Sequence, residues 1–276
     1  MQRILISGYG DIARRFAARL PGGVEVRAIS RSRGADLDRA ETLRPFSGWA
    51  DTVLHAAPPP AADDTDTRTA NLLAMLETGA RPARIVYLST SGVYGDCAGA
   101  RVDETRPVNP ATPRAKRRAD AERRLDEWCR MHDIALVVLR VPGIYAEDRL
   151  PLERLRSGTP ALRAEDDGYT NHIHAEDLAT IARRACEADA PAGTYNASDD
   201  SEMKMGEWFD LVADRHGLPR PPRIARCDAP GRISAQMLSF MAESRRLSNV
   251  KLKRELGVHF MYPTVFDGVP HALACA

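Results

Sequence analysis

Alternating apolar runs and helix-period stretches predict an α/β chain, a doubly wound parallel sheet followed by a smaller C-terminal α/β lobe. Three observations carry this expectation. Short apolar runs recur between amphipathic stretches, a glycine-rich turn joins the first run to the first such stretch, and beyond residue 141 prolines and glycines interrupt the rhythm.

Residues 4–6 form a β-branched apolar run, then come glycines, then 12–20 with apolar residues at helical spacing, which reads as strand, turn, helix. Residues 24–30, 52–57, 84–89 and 135–141 are continuous apolar runs, the pattern of strands covered on both faces. Residues 71–78 and 115–132 carry helical spacing between them. Right-handed crossovers then give a doubly wound sheet. Pro142, Gly143, Pro151, Gly158 and Pro160 break the next segment into loops and short helices, and the chain returns for a helix at 177–188 and a strand at 194–197. The expected division is 1–145 plus 172–198 for the main domain, and 146–171 plus 199–276 for the smaller lobe, packed together over a cleft.

In 276 residues, 39 basic side chains nearly balance 38 acidic ones. No overall field would hold such a chain on nucleic acid or an anionic membrane, so an anionic ligand must be held locally. Cys97, Cys129, Cys186, Cys227 and Cys275 are scattered without a Cys-x-x-Cys pair, which indicates neither a zinc site nor a disulfide framework, and fits a reducing cytoplasm. The longest apolar stretch, 134–139, falls far short of the ~20 residues that span a bilayer, and no basic-then-apolar leader opens the chain.

Gly8-Tyr9-Gly10-Asp11-Ile12-Ala13 matches G-x-G-x-x-A at the first strand-to-helix junction. Gly8 permits the tight turn, Gly10 lets a pyrophosphate approach the backbone, and Ala13 lets helix and strand pack closely, with the amides of Asp11 and Ile12 beside them. That context points to a dinucleotide on a Rossmann domain, with Ala56 and Ala57 after the third strand lining its other side. About 20 residues on, where an NAD site places an acid for the ribose hydroxyls, stand Ser30-Arg31-Ser32-Arg33. Arginines there suit a 2′-phosphate, so NADP(H) is favoured over NAD(H); the bland alternative is a solvated basic loop.

Five stretches resemble the extended and atypical short-chain dehydrogenase/reductase superfamily, in its NAD-dependent epimerase/dehydratase group, and most closely its YeeZ-like atypical branch. They are Gly8 to Ala13, Leu88 to Gly95, Leu139 to Tyr145, His172 to Leu178, and Arg246 to Asn249 with Glu255-Leu256-Gly257. The resemblance implies that Thr90, with Ser91 beside it, hydrogen-bonds the reacting oxygen, the alternative being a strand-end hydroxyl that caps a turn, and that the Pro142-Gly143-Ile144-Tyr145 loop forms the wall beside the nicotinamide. It implies a structural turn at His174 and Asp177, and relatives often dimerise through the helices flanking the fourth strand. His172 and His174 lack further ligands nearby, so no metal is expected. Asp63, Asp64 and Asp66 are expected to sit in a solvated loop or to cap a helix.

Reductases of this superfamily carry a Tyr and a Lys four residues apart on the helix before the fifth strand, one helical face holding both. Alignment places Arg114 and Arg118 there. An arginine stays protonated at any working pH, so Arg114 cannot replace the phenol as an acid-base. Arg118 reaches the coenzyme or pairs with Glu122; Lys116 and Arg117 read as a solvated face. Tyr94, Tyr145, Tyr169 or a water are the candidate proton donors, Tyr94 leading among the side chains although a packed aromatic of the Val-Tyr-Gly turn is the more usual role for it, and Arg114, Tyr145 and Tyr169 are the substrate-binding candidates, suited to a small anionic or nucleotide-linked molecule. Two functions are consistent with these residues: an oxidoreductase or epimerase/dehydratase-like enzyme without the usual Tyr-Lys pair, or a non-catalytic NADP(H)-binding sensor.

Overall fold

A computed structural model describes residues 2–271; Cys275 and the last residues of the expected smaller lobe lie outside it. The main sheet holds six strands: β1 (Arg3–Ser7), β2 (Glu25–Ile29), β3 (Thr52–His55), β4 (Arg84–Thr90), β5 (Ala135–Val141) and β6 (Gly193–Asn196). Their order is β6-β5-β4-β3-β1-β2, and every neighbouring pair is parallel. Successive residues of one strand enter opposite cores. Ile4 and Ile6 of β1 join Val86, Leu88, Val137 and Leu139 on one face, whereas Leu5 joins Val53, Ile85 and Tyr87 on the other. Burial on both faces explains why these strands are unbroken apolar runs.

Four helices cover the two faces: α1 (Asp11–Ala17), α2 (Thr67–Glu77), α3 (Pro113–Met131) and α4 (Ala175–Ala185). Side-chain caps fix three of their starts. Asp66 accepts from the amides of Arg68 and Thr69, Thr112 caps α3 ahead of Pro113, and Nδ1 of His174 accepts from Glu176 N. The Asp66 cap explains why α2 starts before the 71–78 expected from periodicity. Asp177 accepts from the amides of Met261 and Tyr262, tying α4 to the C-terminal segment.

A separate apolar cluster gathers Tyr145, Leu155, Leu162, Trp208, Phe209 and Ile224 around α5 (Met205–Arg215). The sequence places all of 199–276 in the smaller lobe, but Leu252 and Leu256 of α6 (Val250–Leu256) and Val258 pack into the main core, and Arg246–Leu247 pairs in parallel with Arg101–Val102. Their apolar stripe is completed by α4 and β6, which are main-core elements.

His55 is wholly buried behind the glycine turn. Thr69 donates its hydroxyl to Asp66, so it accepts from Nε2 of His55, and Nδ1 of His55 accepts from Ser7 Oγ at 3.1 Å. Burial pushes His55 and His174 down to about 4 and His172 to about 3. A depressed histidine favours folding above its unfolded value near 6.5 and loses that contribution as pH falls towards the folded value. Asp199, raised by burial to about 7, opposes this, as do Asp167 and Asp177, which burial also raises, whereas the lowered carboxyls of Asp11, Asp51 and Asp120 act with the histidines. The melting temperature is expected to hold near neutrality and fall as pH drops from about 6.5 to about 4; a flat or rising melting temperature over that window contradicts the account.

Candidate functional site

The strand order reverses between β1 and β3, the switch point at which open α/β sheets bind ligands. Gly8 follows β1 at φ +93°, and its amide donates to Ile29 O at 3.0 Å. The Ser7 carbonyl accepts from both Ala56 N and Ala57 N at 2.8 Å, which draws the two strand ends together. Gly10 begins α1 without a side-chain cap, and a Cβ built on it meets nothing within 4 Å. Ala13 is buried in the main core, as close helix–strand packing requires.

A groove made of four neighbouring cavities starts here. Its first cavity, about 430 Å³, lies between Gly8, Gly10, Ser30, Arg31, Ser32 and Ala57. The second, about 170 Å³, shares Gly8, Gly10 and Ala56 and adds Asp11, Ile12 and Ala13, with Ser89, Arg118 and Ile144 opposite. The third, about 280 Å³, keeps Ser89, Arg118 and Ile144 and adds Thr90, Arg114 and Pro142. The last, about 70 Å³, shares Pro142 and Phe240 with the third and takes in Ser91, Gly143, Tyr169 and Glu243.

Most residues singled out from the sequence line this groove, and the exceptions have physical causes. Arg33 turns aside and stacks over Tyr9, its guanidinium carbon 4.2 Å from the ring centre. Tyr94 is buried; its hydroxyl donates to Asn196 Oδ1 at 2.9 Å and its ring lies under Arg140, which is the packed-aromatic alternative and leaves it out of the groove as a proton donor. Tyr145 is buried too, donating to Thr264 O at 3.2 Å inside the second cluster, which removes it from the substrate side. Burial raises the hydroxyl pKa of both tyrosines.

Arg118 does not pair with Glu122. Its Nη1 donates to Leu88 O at 2.8 Å, Tyr87 Oη at 3.1 Å and Ala57 O at 3.4 Å, a brace across the ends of β3 and β4. Glu122 pairs instead with Arg140 at 2.8 Å and accepts from Ser89 Oγ. Arg114 lies over the Phe240 ring at 3.8 Å. Thr90 Oγ1 accepts from Gly92 N at 3.2 Å while the residue lines the third cavity. Lys116 pairs with Asp64 across the surface and not along its own helix.

Several lining residues carried no readable signal. Arg68 borders the first cavity from α2, held by Asp38 at 2.6 Å; Arg149 borders the second and pairs with Asp11 at 3.0 Å. Asn171, Phe240, Glu243 and Arg245 close the last. Each stands far along the chain from the glycine turn, outside any spaced motif.

The description NAD dependent epimerase/dehydratase family matches residues 4–198, which include β1 to β6 and the glycine turn. The chain belongs to that family. As a member it is an NAD(P)-binding protein of short-chain dehydrogenase/reductase type. Protein YeeZ of Escherichia coli (strain K12) is 25% identical over 186 residues, 66% of this chain and 60% of that protein. The dTDP-D-glucose 4,6-dehydratase of Homo sapiens is 23% identical over 164 residues, 49% of this chain and 47% of that one. The chain thus spans no more than about three-fifths of these curated relatives. A functionally unknown conserved protein from Silicibacter pomeroyi DSS superposes with a TM-score of 0.80 at 28% identity, covering 98% of this chain and 97% of that one. RMD from Pseudomonas aeruginosa, solved with NADPH, gives a TM-score of 0.76 at 18% identity over 98% and 97%, a likeness of fold alone. Among the described residues, no helix is long and apolar enough to cross a membrane.

Proposed function

We propose that this epimerase/dehydratase-family protein is an NADP(H)-dependent oxidoreductase or epimerase-type enzyme acting on a small, hydroxyl-bearing or nucleotide-linked molecule. The observation that carries the reading is a row of neighbouring cavities that share lining residues, from Arg31 past Gly10 and Arg118 to Thr90 and Glu243. A dinucleotide fits its first three cavities. The open space beside Gly10 admits the pyrophosphate, Arg31 with Ser30 and Ser32 meets a 2′-phosphate, and Arg118 faces the nicotinamide ribose. Bound there, the nicotinamide gives or accepts a hydride.

The chain's own residues then hold the substrate. Thr90 offers its hydroxyl to the reacting oxygen, Pro142, Gly143 and Ile144 wall off the ring, and Arg114 with Tyr169 borders the substrate end, where a guanidinium favours an anionic group. Arg114, standing where relatives carry the phenol, favours a second reading, a coenzyme sensor without turnover.

Calorimetry and turnover separate them. The wild type is expected to bind NADPH and oxidise it with a member of a carbonyl and sugar-nucleotide panel, and Thr90→Ala to bind equally but turn over ~100-fold more slowly. Arg31→Ala is expected to weaken NADPH by ~10–100-fold, the worth of about 1.5–3 kcal/mol of charge-assisted hydrogen bonding, and NADH little. Tight binding without turnover establishes the sensor; equal losses for the two coenzymes remove Arg31 from the phosphate.

A further inference from the structure

The narrow end of the groove holds two polar atoms that the chain leaves without partners. Glu243 and Arg245 flank Ser244 just before the Arg246–Leu247 strand, and each is 8% exposed. Nη1 and Nη2 of Arg245 donate to Oε2 of Glu243 at 3.1 and 3.0 Å, and Nη1 also to Gly95 O at 2.7 Å. Oε1 of Glu243, an acceptor, and Nε of Arg245, a donor, have no partner among the described residues. Buried groups of this kind are normally satisfied by a ligand or water. A hydroxyl suits either atom, because it both donates and accepts hydrogen bonds; an unprotonated phosphate would serve only the arginine and an ammonium only the glutamate.

Glu243 also faces Thr90. A Cβ built on Gly92 lies 3.5 Å from Thr90 Oγ1 and 3.7 Å from Glu243 Oε2, so the two oxygens flank the same small space. The charged and titratable groups around Glu243 are Arg245 on its own segment, Arg114 from α3 and Cys97 from the turn after Gly95.

We propose that the Glu243–Arg245 pair seats the substrate's reacting hydroxyl, and that the Glu243 carboxylate takes and returns its proton, the role Arg114 cannot fill. This inference rests on the coenzyme reading above. When an alcohol is oxidised, the O–H bond breaks and its proton passes to the Glu243 carboxylate. The C–H bond breaks with its electron pair, which leaves as hydride to the oxidised nicotinamide, and C=O forms. Reduction runs the same steps backwards, with Glu243 as the acid.

The test compares wild type, Glu243→Gln and Gly92→Ala. Glutamine keeps an acceptor for Arg245 but cannot take the proton, and the alanine methyl makes only ordinary contacts while narrowing the space between Thr90 and Glu243. Coenzyme affinity is measured by calorimetry. Turnover with NADP+ is followed across pH on secondary alcohols, glycerol, inositol and UDP-glucose, and the antisymmetric carboxylate stretch is followed by infrared titration of the coenzyme-free protein with the same alcohols. Both variants are expected to bind coenzyme within about twofold of wild type. Glu243→Gln is expected to lose ~100-fold or more in kcat together with the acidic limb of the pH profile. Gly92→Ala is expected to raise KM more than it lowers kcat, and a carboxylate band absent from Glu243→Gln is expected to shift with alcohol in the wild type. Undiminished kcat with the acidic limb intact in Glu243→Gln overturns the proton role. Coenzyme binding without turnover in the wild type overturns the enzyme reading and the proton role together, and the infrared band then decides the hydroxyl seat alone: a shift retains it, and no shift removes it.

Discussion

Gly8→Ala is expected to cost the fold about 3 kcal/mol or more, while Gly10→Ala, two residues on, leaves stability within about 0.5 kcal/mol and weakens coenzyme binding instead. At Gly8, φ is +93° and a built Cβ falls 2.4 Å from Ala57 N and 2.5 Å from Ala57 Cα. Both are backbone atoms, and Ala57 N is itself held by Ser7 O. Neither strain nor overlap can relax without parting the ends of β1 and β3, and each contributes about 1–3 kcal/mol. Gly10 has ordinary backbone angles and open space, so an alanine there folds, but its methyl enters the volume that a pyrophosphate would fill. Urea unfolding and NADPH calorimetry on both variants check the contrast, with a ~10–100-fold affinity loss expected for Gly10→Ala. Unfolding of Gly8→Ala at the wild-type midpoint would refute the packing argument, and unchanged affinity in Gly10→Ala would refute the pyrophosphate placement.

Glu122→Ala is the second large effect. Its carboxylate is the partner of Arg140, the two side chains being 11% and 9% exposed, and it also accepts from Ser89 Oγ. Truncation strands the Arg140 guanidinium in the interior between α3 and β5. Breaking a buried pair in this way costs about 3–5 kcal/mol, far more than the 0–1 kcal/mol of an exposed pair such as Lys116–Asp64. The double variant Glu122→Leu with Arg140→Met, which removes both charges, is expected to recover most of the loss. Denaturant unfolding reads each variant; a Glu122→Ala loss under about 1 kcal/mol would mean that water already satisfies Arg140.

The fold was legible because its signals are local. Apolar runs at 4–6, 84–89 and 135–141 suit a sheet covered on both faces, and β1 to β6 fall where they were expected, while the starts of α2 and α4 are set by the caps Asp66 and His174. The glycine turn was legible because Gly8 and Gly10 answer steric demands set within a few residues of themselves. The substrate end was not. Arg118 turns to strand-end carbonyls because Glu122 already has Arg140, a choice that depends on a strand beyond the end of α3. Tyr94 and Tyr145 looked available from their place in loops, yet Asn196 and Thr264, distant in sequence, hold their hydroxyls inward. Glu243 and Arg245 belong to no motif, and only the closure of the Phe240–Arg245 segment over Thr90 and Ser91 brings them to the groove.

The placement of α6 bears on how the chain acquires its shape during synthesis. Leu252, Leu256 and Val258 fill part of the core built by the first two hundred residues. A nascent chain that has emerged only as far as β6 therefore carries an uncovered apolar seam on α4 and β6, and its outermost strand gains full support only when the chain past residue 258 has left the ribosome. The stretch from 4 to 198 that defines the family is thus a unit of ancestry more than a unit of folding.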